Sequence, residues 1–416
     1  MRSRPPQWLG MTDFSQARTG GTSATPRDRV LRIAISAIGR FHMFDLARQM
    51  LRLGQQVEIF TGNPMCRVDR DLRPRTRTHP FLHVLAALRY RIPPAPKTTW
   101  WLDWDLEALG RWLARSVDPE TTDILDGLDG LGPAAGRLMR SHGKAWVCNR
   151  GSAHILTQKA LLEEESRRWG TPLPYFSPEG LERCLAEYAE ADAIVVPSDF
   201  ARRSFVEQGI RPENLFVCPY GVELSMFHPM PKADSIFRAL FVGCASIQKG
   251  IGYLFEALRP LVKKGLCELW LIGSLDSAAK PLLAKNRDIF VYKGMQPRAT
   301  LASFYSQGSV LVQPSIQEGF ALVQAQAMAC GLPVIATTNT GARNLFSDGV
   351  EGFIVPIRDP LAIRDKVQWM MGHETERGGM GAAALERMKG LGGWDRYGEQ
   401  CLAMYREVLA RKRAMA

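Results

Sequence analysis

The strongest constraint on this chain is an alternation that runs through it twice: a short β-branched run, a helical segment, then another such run. VLRIAIS at 30–36 is followed by FHMFDLARQMLRLG, whose apolar residues recur at helical spacing and which Gly54 closes, and then by QQVEIFTG. Strand-like runs return at TDILDGL, KAWVCNRG and ADAIVVPS. After CPYGVELSMFHPMPK, a connector punctuated by Pro and Gly, a second series begins: RALFVG, CELWLIGS, DIFVYKG, SVLVQPS, LPVIATT and GFIVP. Runs this uniformly apolar belong to strands covered on both faces, so each series predicts a parallel sheet wrapped by helices. The chain is thus expected to form two doubly wound, Rossmann-like α/β domains. A disordered tail over 1–27 precedes a first domain over 28–219, a linker over 220–232 and a second domain over 233–385, with helices over 386–416 packing back toward the first. Ligands of open α/β sheets bind beyond the carboxyl ends of the strands, so the cleft between the two sheets is the expected site.

Composition narrows the function classes. The 416 residues are too many for one small core. Eight cysteines, at 66, 148, 184, 218, 244, 267, 330 and 401, form no C-x-x-C pair, which argues against a structural zinc or a disulfide framework and for reduced thiols in the cytoplasm. No apolar run approaches the roughly 18 residues of a membrane span, and MRSRPPQWLGMTDFSQARTGG lacks the apolar core of a signal peptide; Met11 is an alternative start. The net charge is +11, and residues 1–100 carry 17 Lys and Arg against 6 Asp and Glu, densest in CRVDRDLRPRTRTHPFLHVLAALRYRIPPAP. With no zinc-finger spacing, RNP-type aromatics or heptads, nucleic acid is the least favoured partner. A solvated basic loop and a surface for an anionic membrane or acidic acceptor both stay open.

One stretch, QEGFALVQAQAMACGLPVIATTNTG at 317–341, places a carboxylate, Glu318, beside Gly319 directly after the strand SVLVQPS. A helix is expected from Phe320 to Cys330, its first-turn N–H groups and positive dipole end aimed into the cleft, which suits a phosphate. Glu318 would repel phosphate, so a sugar hydroxyl is its natural partner. In a continuous helix Gln326 lies eight residues further, about 12 Å along the axis, comparable to the span of a nucleotide sugar.

Strand, then E-G-F-x-L-x-x-x-x-A-M-A-C-G-x-P-V-I-A-T, resembles the donor signature of retaining GT-B glycosyltransferases, glycosyltransferase family 4. ADAIVVPSDFARRSFVEQGI, PYGVELSMFHP, FVGCASIQKGIGYLFEAL and TGARNLFSDGVEGFIVPIRDP agree with it, so the likeness is dense over 191–360 and looser over 28–190. The resemblance implies that Glu318 holds hydroxyls of the donor sugar, that backbone at Gly319, Phe320 and Ala321 meets the diphosphate, and that Lys249 in Q-K-G neutralises it. Ser246, Leu322, Gln326 and Gly294 are carried over as further donor contacts. Two positions depart from the pattern: Gln326 stands where many relatives have a second glutamate, and Cys244 where many have an arginine. In the first domain Gly39, in ISAIGRFHMFD, is expected near the donor phosphate, and His154, in CNRGSAHI, near the reacting sugar. Arg150 faces either the acceptor or the surface. Residues of plain structural type would do as a helix N-terminal acid (Glu318), a turn residue (Lys249) or a capping histidine (His154).

The resemblance implies transfer of a hexose from a nucleoside diphosphate sugar, UDP- or GDP-linked, to a hydroxyl with retention, in polysaccharide or glycolipid synthesis. No cofactor beyond the donor substrate and no metal is implied. Arg73, Arg75 and Arg77, with Arg67, Arg70, Arg89 and Arg91, crowd a segment that also holds FLHVLAAL, a combination that suits a peripheral enzyme on the inner membrane face reaching a lipid-linked acceptor. Two alternatives belong to other classes. A sugar-nucleotide-binding protein without activity would suit Cys244 and Gln326. GLDGLGPAAG at 127–136 approaches a dinucleotide fingerprint and would make a dehydrogenase, but its third glycine falls one position late and no acid follows about 20 residues on.

Overall fold

Alternation of side chains along buried strands divides the first domain into two apolar layers. Ile33 and Ile35 of one strand join the helices His42–Arg52 and Trp394–Met415 on one face, while Ala34 between them joins Leu125 and Trp146 on the other. The computed structural model describes residues 29–39, 42–79, 100–172 and 176–415. The predicted tail over 1–27, the FLHVLAAL stretch, Arg89 and Arg91 lie outside the described residues.

Among the described residues the first sheet has the parallel strands β1 (Arg32–Ala37), β2 (Gln56–Thr61), β3 (Thr76–Thr78), β4 (Ile124–Leu128), β5 (Ala145–Asn149), β6 (Ala193–Val196) and β7 (Leu215–Val217), in the order β3-β2-β1-β4-β5-β6-β7. The second has β8 (Arg238–Val242), β9 (Glu268–Ile272), β10 (Val291–Gly294), β11 (Val310–Gln313), β12 (Val334–Thr337) and β13 (Gly352–Val355), ordered β10-β9-β8-β11-β12-β13. Strand order reverses at β1/β4 and at β8/β11, so each sheet opens a crevice there. The two-sheet α/β architecture agrees with the expectation from the apolar runs. β3 and β7 do not stand out in the sequence because each is a three-residue edge strand, one of them the polar TRT.

The chain passes between the lobes twice, after β7 and again before the helix Trp394–Met415. The two passages touch backbone to backbone: a Cβ on Gly221 would lie 2.2 Å from the Trp394 nitrogen and 2.3 Å from the Gly393 carbonyl carbon. The helix Trp394–Met415 then lies on the first lobe, where Lys412 pairs with Asp192 at 2.9 Å. A second junction runs along the helix Ile155–Trp169, which Gly170 ends in the left-handed conformation. Its buried Glu165 accepts from Trp169 Nε1 at 3.0 Å, from Tyr253 of the second lobe at 2.9 Å and from Arg358 Nε at 2.6 Å. Trp169 nests on Gly252, where a Cβ would come within 2.4 Å of the indole.

Candidate active site

Two loops of the second lobe meet at its switch point. The loop after β8 brings Lys249, and the loop after β11 brings Glu318; Ile316 N donates to Gln248 O at 2.9 Å, and the Gly250 Cβ position would overlap Pro314 O at 1.9 Å, which ties the two loops together. Lys249 Nζ and Glu318 Oε1 form an ion pair whose side chains are 20% and 14% exposed, so both charges are reachable from the cleft. Ser246 Oγ accepts from Lys249 N at 3.3 Å, and Glu318 N donates to Asn339 O at 2.9 Å. The helix that leaves the loop is shorter than expected, Leu322–Ala329, because Ala321 takes a left-handed conformation, φ 61°. That strained turn puts Phe320 and Ala321 in the loop, leaves the helix with no side-chain cap and no acid in its first turn, and leaves its first N–H groups for an anion.

The first lobe touches this loop directly. Gly319 is obligatory there for a reason beyond ligand access: a Cβ would lie 1.9 Å from Gly151 O of the opposite lobe. Ser198 Oγ donates to Gly319 O, Ser152 Oγ donates to Gln317 Oε1 at 2.9 Å, and Asp199 and Asn344 exchange hydrogen bonds at 3.0 and 2.9 Å. Beside Gly151 sits His42, the first residue of its helix, with Nε2 2.8 Å from Asn149 Oδ1 and its ring stacked 4.4 Å from Tyr220. Burial lowers the His42 pKa to about 4, so its imidazole is neutral at physiological pH. Behind it Asn149 Nδ2 donates to the buried Asp126, which also accepts from Tyr405.

The structure thus gathers Lys249, Ser246, Glu318, Gly319, Phe320, Ala321 and Leu322 at the cleft, with Gly39 at the edge of the described loop after β1. Other residues singled out in the sequence have different surroundings. His154 is 2% exposed and caps the helix Ile155–Trp169 through Nδ1, between the rings of Tyr188 and Phe205; burial and then the Arg150 charge lower its pKa to about 4. Arg150 is buried against Asp129, Gln158 and Ala153 O. Gln326 Oε1 accepts from the buried Tyr305 hydroxyl at 2.9 Å, and Gly294 O accepts from Gly273 N at 2.8 Å. Arg73 braces its own turn through Val68 O, Arg77 pairs with Glu58, and Arg67, Arg70 and Arg75 are exposed. Sequence reasoning passed over His42, Asn149 and Tyr220; the one signal was that FHMFD opens a helix just after the Gly39 loop.

The glycine-rich turn GLDGLGPAAG is filled from within. Gly130 N donates to Glu187 Oε2 at 2.6 Å, and a Cβ on Gly132 would overlap Glu187 Oε1 at 2.1 Å. A buried carboxyl therefore occupies the place a pyrophosphate would take, and burial raises its pKa well above the ordinary carboxylate range. Among the described residues no group of three His, Cys, Asp or Glu is placed to hold a metal ion.

Residues 40–221 match the family model described as glycosyl transferase 4-like domain, and residues 237–373 the model described as glycosyl transferases group 1. A D-inositol 3-phosphate glycosyltransferase of Acidothermus cellulolyticus is 25% identical over 458 aligned positions, covering 99% of this chain and 98% of that protein. The backbone superposes on sucrose-phosphate synthase from Thermosynechococcus elongatus with a TM-score of 0.69, at 21% identity, covering 92% of this chain and all of that one. For HepE of Anabaena, solved in complex with UDP-glucose, the TM-score is 0.64 at 14% identity, over 93% and 100% of the chains. The chain therefore belongs to the group 1 glycosyltransferases, glycosyltransferase family 4, a retaining family with the GT-B fold.

Proposed function

We propose that the chain transfers a hexose from a UDP- or GDP-linked donor to a hydroxyl acceptor, with Lys249 on the diphosphate and Glu318 on hydroxyls of the sugar. The observation that supports this reading is the Lys249–Glu318 ion pair at the meeting of the β8 and β11 loops, beside an uncapped helix N-terminus. Without donor, each charge neutralises the other. A diphosphate competes for the ammonium and the N–H groups, and the freed carboxylate then accepts from sugar hydroxyls, an arrangement that stabilises the departing diphosphate. As the C1–oxygen bond to the diphosphate breaks, the acceptor oxygen bonds C1 on the same face and its proton passes to a diphosphate oxygen. Gln326, its carbonyl held by Tyr305, keeps an amide nitrogen to donate to the ribose.

The acceptor reading rests on charge. Arg67, Arg70 and Arg75 are exposed on the turn between β2 and β3, and among the described residues no helix is long and apolar enough to cross a membrane. A lipid-linked acceptor approached from an anionic surface, in polysaccharide or glycolipid synthesis, suits that combination.

The test is a thermal-shift panel of UDP, GDP, ADP and NADPH followed by turnover of the matching nucleotide sugar. A ligand at 100 times its Kd should add about 2.7 kcal/mol. Glu318→Ala should keep the nucleotide shift and lose about 100-fold or more in turnover, roughly 2.7 kcal/mol of transition-state stabilisation. A shift with NADPH alone, or full turnover in the variant, overturns the assignment.

A further inference from the structure

Tyr220 occupies a place where the interlobe passage, the acceptor-side helix and the donor loop all meet. It lies on the first passage, next to Gly221, whose backbone bears on Gly393 and Trp394 of the second. Its ring stacks on His42 of the first lobe, 4.4 Å between centroids at 28°. It meets Phe320 of the donor loop edge-on at 5.5 Å and lies over Trp394 at 6.2 Å. Its hydroxyl is 3.4 Å from His42 Nε2 and would be 3.1 Å from a Cβ on Gly151, the residue that faces Gly319.

These contacts have a mechanical consequence. The chain crosses between the lobes at Gly221 and Gly393, so a turn of one lobe on the other bends the chain beside Tyr220. Phe320 moves with the second lobe, and His42 with the first. A ring wedged between them cannot keep both contacts through such a turn, because packed aromatic faces are discrete arrangements and not continuously deformable ones. Phe320 is 2% exposed and immediately follows Gly319 on the Glu318 loop, so anything that shifts the loop shifts the ring.

We propose that Tyr220 is a positioning residue that couples occupation of the donor loop to the placement of His42 and its helix on the acceptor side. The proposal rests on the nucleotide-sugar reading of the Lys249–Glu318 site and adds to it a route by which the filled site reaches the other lobe. Stacking, and not the hydroxyl, carries the coupling: the hydroxyl contact with His42 is long, whereas four rings, those of His42, Phe320, Trp394 and Tyr397, surround the phenol.

Hydrogen exchange with and without nucleotide tests it, using whichever of UDP, GDP or ADP binds the wild-type chain. In the wild type, nucleotide should slow exchange both in 317–329 and, across the cleft, in the helix His42–Arg52, by about threefold or more. Tyr220→Ala should bind the nucleotide within about threefold of wild type yet confine protection to the second lobe. Tyr220→Phe should restore protection of the first helix, a rescue that a role through the hydroxyl would not give. Should the Ala variant fail to fold, Tyr220→Leu, of closer volume but without a ring to stack, is read in its place. Unchanged protection of 42–52 in the Ala or Leu variant overturns the proposal, as does absence of that protection in the wild type or its loss in the Phe variant. Failure of every nucleoside diphosphate to bind the wild type is a different result, and it removes the donor-site reading itself.

Discussion

Glu165 offers the sharpest energetic test of how the lobes are held. Its carboxylate has no solvent exposure and takes hydrogen bonds from its own helix and from both Tyr253 and Arg358 of the second lobe. Glu165→Gln keeps the shape but offers one acceptor oxygen for three donors. If the amide oxygen turns to Arg358, the new N–H₂ faces the Trp169 indole N–H, which cannot accept; if it turns the other way, it faces the guanidinium. Either way one charge-assisted bond is lost, about 1.5–3 kcal/mol, and one buried donor is left unpaired, about 1–3 kcal/mol more. The sum, about 2.5–6 kcal/mol, brackets the roughly 3–5 kcal/mol found for removing one partner of a buried ion pair. Arg358 adds an opposing effect. It holds φ 63°, a conformation that costs a side-chain-bearing residue about 1–2 kcal/mol, so Arg358→Gly recovers part of what it loses. The two changes together should fall short of their sum by about 2–3 kcal/mol. Because two lobes need not unfold in one step, the readout is the opening free energy of amides in 162–169 and 251–255 by native-state hydrogen exchange. A coupling below about 0.5 kcal/mol would show that the ion pair contributes nothing to the junction and refute the reasoning.

Gly319→Ala should strain the lobe contact, since its Cβ has to displace Gly151 O from 1.9 Å, and overpacking of this kind costs about 1–3 kcal/mol; an unchanged melting temperature would mean the lobes part freely. For Asp126, burial raises the carboxyl pKa to about 7 in spite of hydrogen bonds from Tyr405 and Asn149, against about 3.9 unfolded. The folded state therefore keeps its proton longer, and the associated stability is complete below about pH 4 and lost as the pH rises to about 7. Asp126→Asn should flatten the decline of melting temperature over that window, and an identical profile would show an ionised carboxylate in the fold. His42 works in the opposite sense, its lowered pKa removing stability as the pH falls from about 6.5 toward 4, so His42→Asn should be less acid-sensitive than wild type in the same scan. Replacing Arg67, Arg70 and Arg75 by Ser should release the protein from acidic vesicles at low salt, each cation being worth about 1 kcal/mol, whereas Arg73→Ser and Arg77→Ser should lower thermal stability because those side chains brace the turn and pair with Glu58. Equal vesicle binding before and after the triple change would remove the membrane reading.

What the sequence by itself determined is whatever depends on a residue's relation to its own sheet. Apolar runs such as RALFVG and SVLVQPS specify buried parallel strands because a strand covered on both faces has no polar side, and the reversal of strand order then places the Lys249 and Glu318 loops at one crevice. Helix ends were less legible: nothing in GFALVQ announces that Ala321 turns left-handed, a conformation alanine adopts only where its surroundings impose it. Only the tertiary structure decided which side chains face across the cleft. His154 and His42 are both histidines at the start of a helix after a first-lobe strand, yet one caps its helix inside an aromatic cage and the other stacks on Tyr220 of the passage between the lobes. Gln326 has its carbonyl held by Tyr305, Glu187 fills a turn that reads as a dinucleotide site, and Gly319 is glycine because Gly151 stands in front of it. Each of these is a contact between residues 21 to 168 positions apart. Periodicity records only how a segment meets its own layer, so the packing of one lobe on the other leaves no trace in it until the chain is folded.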